Sequence, residues 1–304
     1  MASLREKKII SAKDYLVKPN SKVKLSRFST KCDNKLLAKD TSAALLYESR
    51  EHLAEIQDML YAHRKYSVLL IFQALDAAGK DGAIKHIMTG FNPQGVRVYS
   101  FKAPNNRELD HDYLWRHMRT LPARGEIVIH NRSHYENVLA TRVHPDWIMK
   151  ESIPDIDGVK DIDDKFWKMR FKQIRRFEKT LAENGMLIMK FFLHVSKKEQ
   201  KKRLIERIDN PAKNWKFSLD DLKERAHWED YQKAYEEALS ATSADYAPWY
   251  VIPADDKWFT RLAIASIISR EFDKLKINYP QVSEQQKAEL QKAKALLEAE
   301  RHGF

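Results

Sequence analysis

A single cysteine, Cys32, in 304 residues excludes an intrachain disulfide framework and any zinc site built on cysteine. Glycine and proline are also sparse, at 8 and 10, which argues against a collagen-like or loop-rich β protein. No apolar run approaches the ~20 residues of a membrane span. The opening MASLREKKII carries charge with no apolar stretch behind it, so it does not read as a secretory signal. A soluble, cytoplasmic protein is the expectation. What the chain does have is a hydrophobic fraction of 43%, enough to fill a core and to exclude wholesale disorder. It also has 54 Lys and Arg against 43 Asp and Glu, a net charge of +11. Such an excess focuses field on phosphates or acidic surfaces, so an anionic partner is expected.

The first forty residues carry scattered basic residues and weak periodicity, and read as an extended arm. From Thr41 the pattern turns helical, with Leu46, Leu53, Ile56 and Leu60 on one face. Tyr66 to Leu75 (YSVLLIFQAL) is a continuous apolar run of strand length, as expected of a strand buried on both faces. A short helix follows the turn at Asp76 to Gly82 and ends near Thr89. Val96 to Phe101 and Glu126 to His130 are further strands, with a helical stretch around Asp110 to Arg119 between them. Asp164 to Glu183 is a helix with Phe166, Ile174, Phe177 and Leu181 inward, stopped by Asn184-Gly185. Met186 to Val195 and Trp249 to Pro253 complete five strands, and Arg261 to Leu275 covers the last as a helix. The tail from Ser283 to Arg301 is a charged helix. Strands alternating with helices predict a parallel sheet with helices on both faces.

Three signals carry chemistry. The first is Ala74-Leu75-Asp76-Ala77-Ala78-Gly79-Lys80-Asp81-Gly82, directly after a buried strand and opening a helix. Backbone N–H groups and the helix N-terminus there suit a phosphate, and Lys80 adds a point charge. The match to G-x-x-x-x-G-K-[ST] is incomplete: Ala74 replaces the first glycine and Asp81 the hydroxyl. Asp76 and Asp81 are carboxylates, which suit the hard Mg²⁺ ion. The bland alternative is an ordinary Gly-Lys turn.

The second signal is Asn131-Arg132-Ser133-His134-Tyr135-Glu136 at the end of another strand. Ligands of open parallel sheets bind outside the carboxyl ends of strands, so both segments are expected around one crevice. Arg132 and Arg142 can fork onto phosphate oxygens. A surface salt bridge is the structural alternative for Arg132. His130 and His134 straddle a strand-to-loop junction, which would not place them on one helix face. They read as packing or hydrogen-bonding residues, not a metal pair. The third signal is Lys197 to Lys216, with eight basic and three acidic residues. A solvated helical face is its ordinary meaning. Its position after a strand end suits a lid that brings cations onto developing charge.

Together these pieces resemble the family-2 polyphosphate kinases, from about Thr41 to Leu275. The matching stretches are DAAGKDG (Asp76 to Gly82), NPQGV (Asn92 to Val96), DYLWR (Asp112 to Arg116), NRSHYE (Asn131 to Glu136), RVHP (Arg142 to Pro145) and APW (Ala247 to Trp249). The resemblance implies an α/β P-loop kinase fold: a three-layer sandwich with a parallel five-stranded sheet, helices on both faces and a helical lid. It divides the chain into an arm at 1–40, a kinase domain at 41–280 with a lid at about 197–220, and a helical tail at 281–304. The implied activity is transfer of a terminal phosphate between inorganic polyphosphate and a nucleotide with Mg²⁺, for which Mn²⁺ can substitute.

Carried onto this sequence, Asp76 organises magnesium, and Lys80 and Arg132 hold the transferring phosphates. Arg203 and Arg207 are lid groups, and Lys213 and Lys216 line the polyphosphate track. Ala77, Ala78, Gly79, Asp81, Gly82, Asn131, Glu136 and Arg142 complete the expected phosphate and nucleotide contacts. Much of the family has Asp where this chain has Asn131. With Glu136, that departure resembles the branch that accepts both nucleoside mono- and diphosphates. Expected partners are polyphosphate, nucleoside mono-, di- and triphosphates and copies of the same chain, with neither membrane nor nucleic acid. No Ser-His-Asp or cysteine nucleophile is visible, and phosphoryl transfer needs none. Three rivals remain: an ATP-dependent nucleotide kinase, a pseudo-kinase scaffold, and a nucleic-acid-binding module suggested by the basic and aromatic run Phe166 to Phe177.

Overall fold

A computed structural model describes residues 10–32 and 39–300. In chain order the elements are α1 (Ala12–Tyr15), α2 (Lys39–His63), β1 (Ser67–Gln73), α3 (Lys80–Met88), β2 (Val96–Ser100), α4 (Asn106–Leu109), α5 (Trp115–Met118) and β3 (Ile127–Asn131). They continue with α6 (Ala140–Val143), α7 (Asp164–Glu183), β4 (Met186–His194), α8 (Lys197–Asp209), α9 (Asp220–Ala226), α10 (Trp228–Thr242), β5 (Trp249–Pro253), α11 (Lys257–Asp273) and α12 (Glu284–Ala299).

The all-apolar strand is the centre of the sheet. β1 reads SVLLIFQ, and every residue of it is buried, because helices cover both of its faces. The five strands are parallel in the order β2-β3-β1-β4-β5. Packing of α2 and α3 on α11 forms one helical layer, and α7 against α10 and β4 forms the other. The chain leaves β1 toward β2 on one side and leaves β3 toward β4 on the other, so the ends of β1 and β3 open onto a topological switch point.

The five strands and the helices α2, α7 and α11 stand where the apolar runs place them. α7 has the expected bounds, with Asp163 capping the Phe166 N–H at 2.9 Å and Gly185 in the left-handed region at φ +87°. Ile174 is fully buried; Trp167 and Phe171, which the periodicity did not single out, are buried beside it. The helical stretch expected around Asp110 to Arg119 proves to be one single turn, α5, with a second single turn, α4, just before it. Asn105 and Glu108 close a capping box on α4, and the Asp112 side chain accepts the Leu114 N–H to start α5.

The arm also differs from an extended segment. Residues 10–32 run from the β5 edge, where Leu16 bridges Tyr250 and the Val17 N–H donates to the Trp249 carbonyl at 2.9 Å, onto α10, where the Val23 N–H donates to Ser240 and the Leu25 N–H to Glu236. Val17, Val23 and Leu25 are buried there. The segment covers an edge strand whose unpaired backbone groups would otherwise invite another chain. The rest of the expected arm, residues 1–9 and 33–38, lies outside the described residues.

His117, His130 and His134 are buried side by side, with His117 centred 6.0 Å from His130 and 5.8 Å from His134. Thr120 Oγ1 meets His130 Nε2 at 3.0 Å, and Glu178 meets His134 Nε2 at 3.3 Å. Burial lowers all three pKa values; neighbouring imidazoles add to it at His117 and His130, and Lys190 adds to it at His134, and His130 falls to about 3. Imidazoles that stay neutral in the fold but titrate near 6.5 when unfolded contribute stability above pH 6.5 that is lost toward pH 3. Urea midpoints should therefore fall as pH drops from 7 to 5, a window in which ordinary carboxylates barely titrate. Substituting His117→Leu should flatten that fall, and an equal slope in the variant would deny the cluster this role.

Candidate active site

β1 ends at Gln73, and the chain turns back over the strand tip through Ala77 at φ 59° and Gly79 at φ 104°. The Ala78 N–H donates to the Leu75 carbonyl at 3.2 Å, and the Ala83 N–H to the Gly79 carbonyl at 3.0 Å, which starts α3. Lys80 is the first residue of that helix and only 8% exposed. Its ammonium reaches back to the Ala74 carbonyl at 2.8 Å. Burial foremost, with Arg132 adding to it, lowers its pKa to about 8 against the pull of Asp76, Glu136 and Asp81.

The neighbouring strand delivers the second segment. β3 pairs Asn131 with Phe72, and the Arg132 N–H then donates to the Phe72 carbonyl at 3.0 Å. Arg132 takes φ 63°, and its guanidinium turns toward the loop. Nη2 donates to Asp76 Oδ1 at 2.5 Å and Nη1 to Glu136 Oε2 at 3.3 Å. Glu136 foremost, then Asp76, holds that guanidinium above its ordinary pKa despite burial. Beside this chain the Asn131 amide donates to Asp81 Oδ1 at 2.9 Å. Burial pushes Asp81 up, but Asn131 and Lys216 outweigh it and leave its pKa below the ordinary value.

The basic segment divides into groups with different surroundings. Lys216 reaches Asp81 at 3.4 Å, Lys213 is exposed, and Trp215 between them is 78% exposed. Arg207 donates to Asp221 at 2.7 Å and to the Lys216 carbonyl at 3.2 Å. Arg203 is buried beneath the loop. Its Nη1 donates to the Ala78 carbonyl at 2.6 Å and Nη2 to the Ala254 and Asp255 carbonyls at 2.6 and 3.0 Å. Arg142 stands apart from the loop: it forks onto Glu237 at 2.9 and 3.3 Å and lies over the Trp167 ring.

Several residues that line the crevice were not read from the sequence. Gln200 donates to the Asp76 carbonyl at 3.0 Å, and Arg225 donates to Gln200 at 2.5 Å. Asp221 and Glu224 of α9 and Tyr231 of α10 face Asp76, Arg132 and Glu136 across a cavity of about 30 Å³. That volume admits water and excludes a nucleotide. The missed signal was the run Leu222 to Tyr231 (LKERAHWEDY), whose alternating charges look like a solvated surface.

A cationic loop, a second strand end with an arginine and carboxylates, and a basic helical segment after β4 thus meet at one crevice. The chain matches the polyphosphate kinase 2 (PPK2) family over residues 36–280. It belongs to that family. It is therefore a phosphate-transferring enzyme of the kinase type on a P-loop α/β fold. An ADP-polyphosphate phosphotransferase of Rhodopseudomonas palustris is 47% identical over 92% of this chain and 96% of its own. An AMP/ADP-polyphosphate phosphotransferase of Meiothermus ruber is 44% identical over 88% of this chain and 96% of its own. The crystal structure of polyphosphate kinase 2 from Arthrobacter aurescens superposes with a TM-score of 0.80 at 35% identity, covering 96% of this kinase and 97% of that chain.

Proposed function

We propose that this polyphosphate kinase transfers a terminal phosphate, reversibly, from inorganic polyphosphate to nucleoside mono- and diphosphates. The Asp76–Arg132–Glu136 chain across the ends of β1 and β3 carries the reading. Two relatives named for ADP and for AMP with ADP support the choice of acceptors. Lys80 and Arg132 hold the transferring phosphate and neutralise its developing charge, which is most of what phosphoryl transfer asks of a protein. Arg207, paired with Asp221 until a polyanion displaces the carboxylate, completes that set.

The residues present fit Mg²⁺. This ion keeps several waters and takes one or two carboxylates plus substrate phosphates. Asp76 at the crevice and the largely exposed Asp81 offer that few, whereas a closed protein cage of carboxylates would not suit it. When bound, Mg²⁺ or Mn²⁺ supplies charge neutralisation on adjacent phosphate oxygens.

Incubation with polyphosphate, Mg²⁺ and each of AMP, ADP, GMP and GDP, without ATP, tests the reading by the nucleotides formed. Transfer that requires ATP would overturn it in favour of an ordinary nucleotide kinase. A nucleic-acid module finds no support, since Trp167, Phe171 and Ile174 of the aromatic run are core residues.

The donor track gives a separate expectation. Lys213 and Lys216 add charge beyond what a mono- or diphosphate acceptor needs. The double substitution to Gln should raise KM for long polyphosphate severalfold and leave the nucleotide KM nearly unchanged, because uniform binding shows in KM. The difference should shrink with salt, since exposed charges are screened over ~10 Å at 0.1 M. A raised nucleotide KM with an unaltered polyphosphate KM would move these lysines to the acceptor side.

A further inference from the structure

Lys190 sits in the middle of β4, between Ile71 of β1 and Trp249 of β5, and is fully buried. Its ammonium donates to Glu178 Oε2 at 2.6 Å, to the Tyr135 hydroxyl at 2.8 Å and to the Thr242 carbonyl at 2.9 Å. All three of its protons are used. The Tyr135 hydroxyl donates in turn to Glu178 Oε1 at 2.8 Å, and His134 Nε2 lies 3.3 Å from the same oxygen. Four segments meet at this point: β4, α7, the end of α10 and the turn His134–Val138.

Stability does not account for such an arrangement. Taking an ammonium and a carboxylate out of water is costly, and apolar residues of similar volume in their place are commonly neutral or stabilising. What the pair supplies is a directional anchor, and the anchored turn is the one that carries the crevice. Tyr135 directly precedes Glu136, and the Tyr135 N–H is capped by Ser133 Oγ at 3.2 Å. The Gln73 amide, oriented to donate to Glu136 Oε1 at 2.9 Å, accepts from the Ser133 N–H at 3.1 Å. Arg132 at the start of the turn is left-handed, a conformation that a residue other than glycine keeps only where its surroundings over-determine it.

We propose that the Glu178–Lys190 pair, acting through Tyr135, is a positioning device: it fixes this turn so that Arg132 and Glu136 face Asp76 across the crevice. It touches no substrate. This inference rests on the assignment of Arg132 to the transferring phosphate. Misalignment of such a group by about 1 Å can lower rate about 10²-fold, and it acts on the transition state more than on donor binding.

The test uses the full chain, once its transfer from polyphosphate to ADP has been established by the assay above. The double variant Glu178→Gln/Lys190→Met removes both charges and keeps the volume. It should melt within a few degrees of the parent or above it, yet lose at least tenfold in kcat with the polyphosphate KM within twofold. Tyr135→Phe, which removes one oxygen, should show the same split with a smaller loss, and it decides alone if the double variant does not fold. A folded variant with kcat within twofold of the parent, or a loss confined to KM, overturns the proposal and leaves the pair a structural feature. Failure of the functional reading shows separately, as a parent that does not transfer phosphate from polyphosphate at all.

Discussion

Substituting Lys80→Met should leave a folded protein that transfers phosphate about 10²–10³-fold more slowly, the usual cost of removing one preorganised electrostatic contact. The ammonium is the cation at the start of α3, where the loop after β1 ends, and it lies largely buried against the Ala74 carbonyl. Burial first and Arg132 second hold its pKa near 8, below the ordinary 10.5. The sign of that shift matters for the control. A lysine whose folded pKa is depressed binds fewer protons in the fold than in the unfolded chain between about pH 8 and 10.5, so the fold carries a penalty for its charge at neutral pH. Removing the charge therefore relieves the fold, and the variant should melt at or above the parent temperature. Loss of rate beside retained or raised stability separates a functional lysine from a structural one. A folded variant within threefold of the parent rate would remove Lys80 from the site.

Much of this molecule is written in local pattern, and what is not written depends on elements far apart in sequence. The run SVLLIFQ could only be a strand covered on both sides, and the loop and helix after it follow from Gly79 and Lys80. The bounds of α7 were legible because an acidic cap and a glycine stop mark its two ends. α10 was not anticipated, since its buried stripe uses Ala234, Ala238 and Thr242 beside Tyr235 and Leu239, and small residues give weak periodicity. The arm misled because apolar residues such as Val17, Val23 and Leu25 are held by bonds to β5 and α10, more than two hundred residues away. Lys190 was the clearest signal passed over. A lysine inside MLIMKFFLHV on an interior strand has no route to solvent, so its acceptors, a buried carboxylate foremost, had to come from elsewhere in the chain. The residue types around the crevice were readable, but their directions were not. Whether Arg203 points up at a phosphate or down beneath the loop depends on where the end of β5 lies, and no spacing within α8 encodes that.

Arg203 is the position where this matters most. Its substitution Arg203→Ala should lower kcat by about 10²-fold or more with every donor length and every acceptor, because the loop that holds the phosphates loses its support. The guanidinium joins two segments through backbone carbonyls, Ala77 and Ala78 of the loop on one side and Ala254 and Asp255 after β5 on the other. Glu199 takes the remaining Nε proton at 2.9 Å. Asp255 in turn accepts from the Ser196 N–H and from the Thr30 hydroxyl, so the end of β5, the start of α8 and the N-terminal segment brace the same loop. A flat fork with five donors can span these acceptors, and a single ammonium cannot, so Arg203→Lys should recover little of the loss. The salt dependence separates support from contact. A cation bound to polyphosphate releases counterions when it binds, so its removal makes the dependence of donor KM on salt shallower by about one ion. A residue that only shapes the loop leaves that slope unchanged while kcat falls. A shallower slope with a raised polyphosphate KM and an intact kcat would instead bring Arg203 out to the donor. The loop would then have to keep its form, with Ala77 and Gly79 left-handed, without the arginine that now fills the space beneath it.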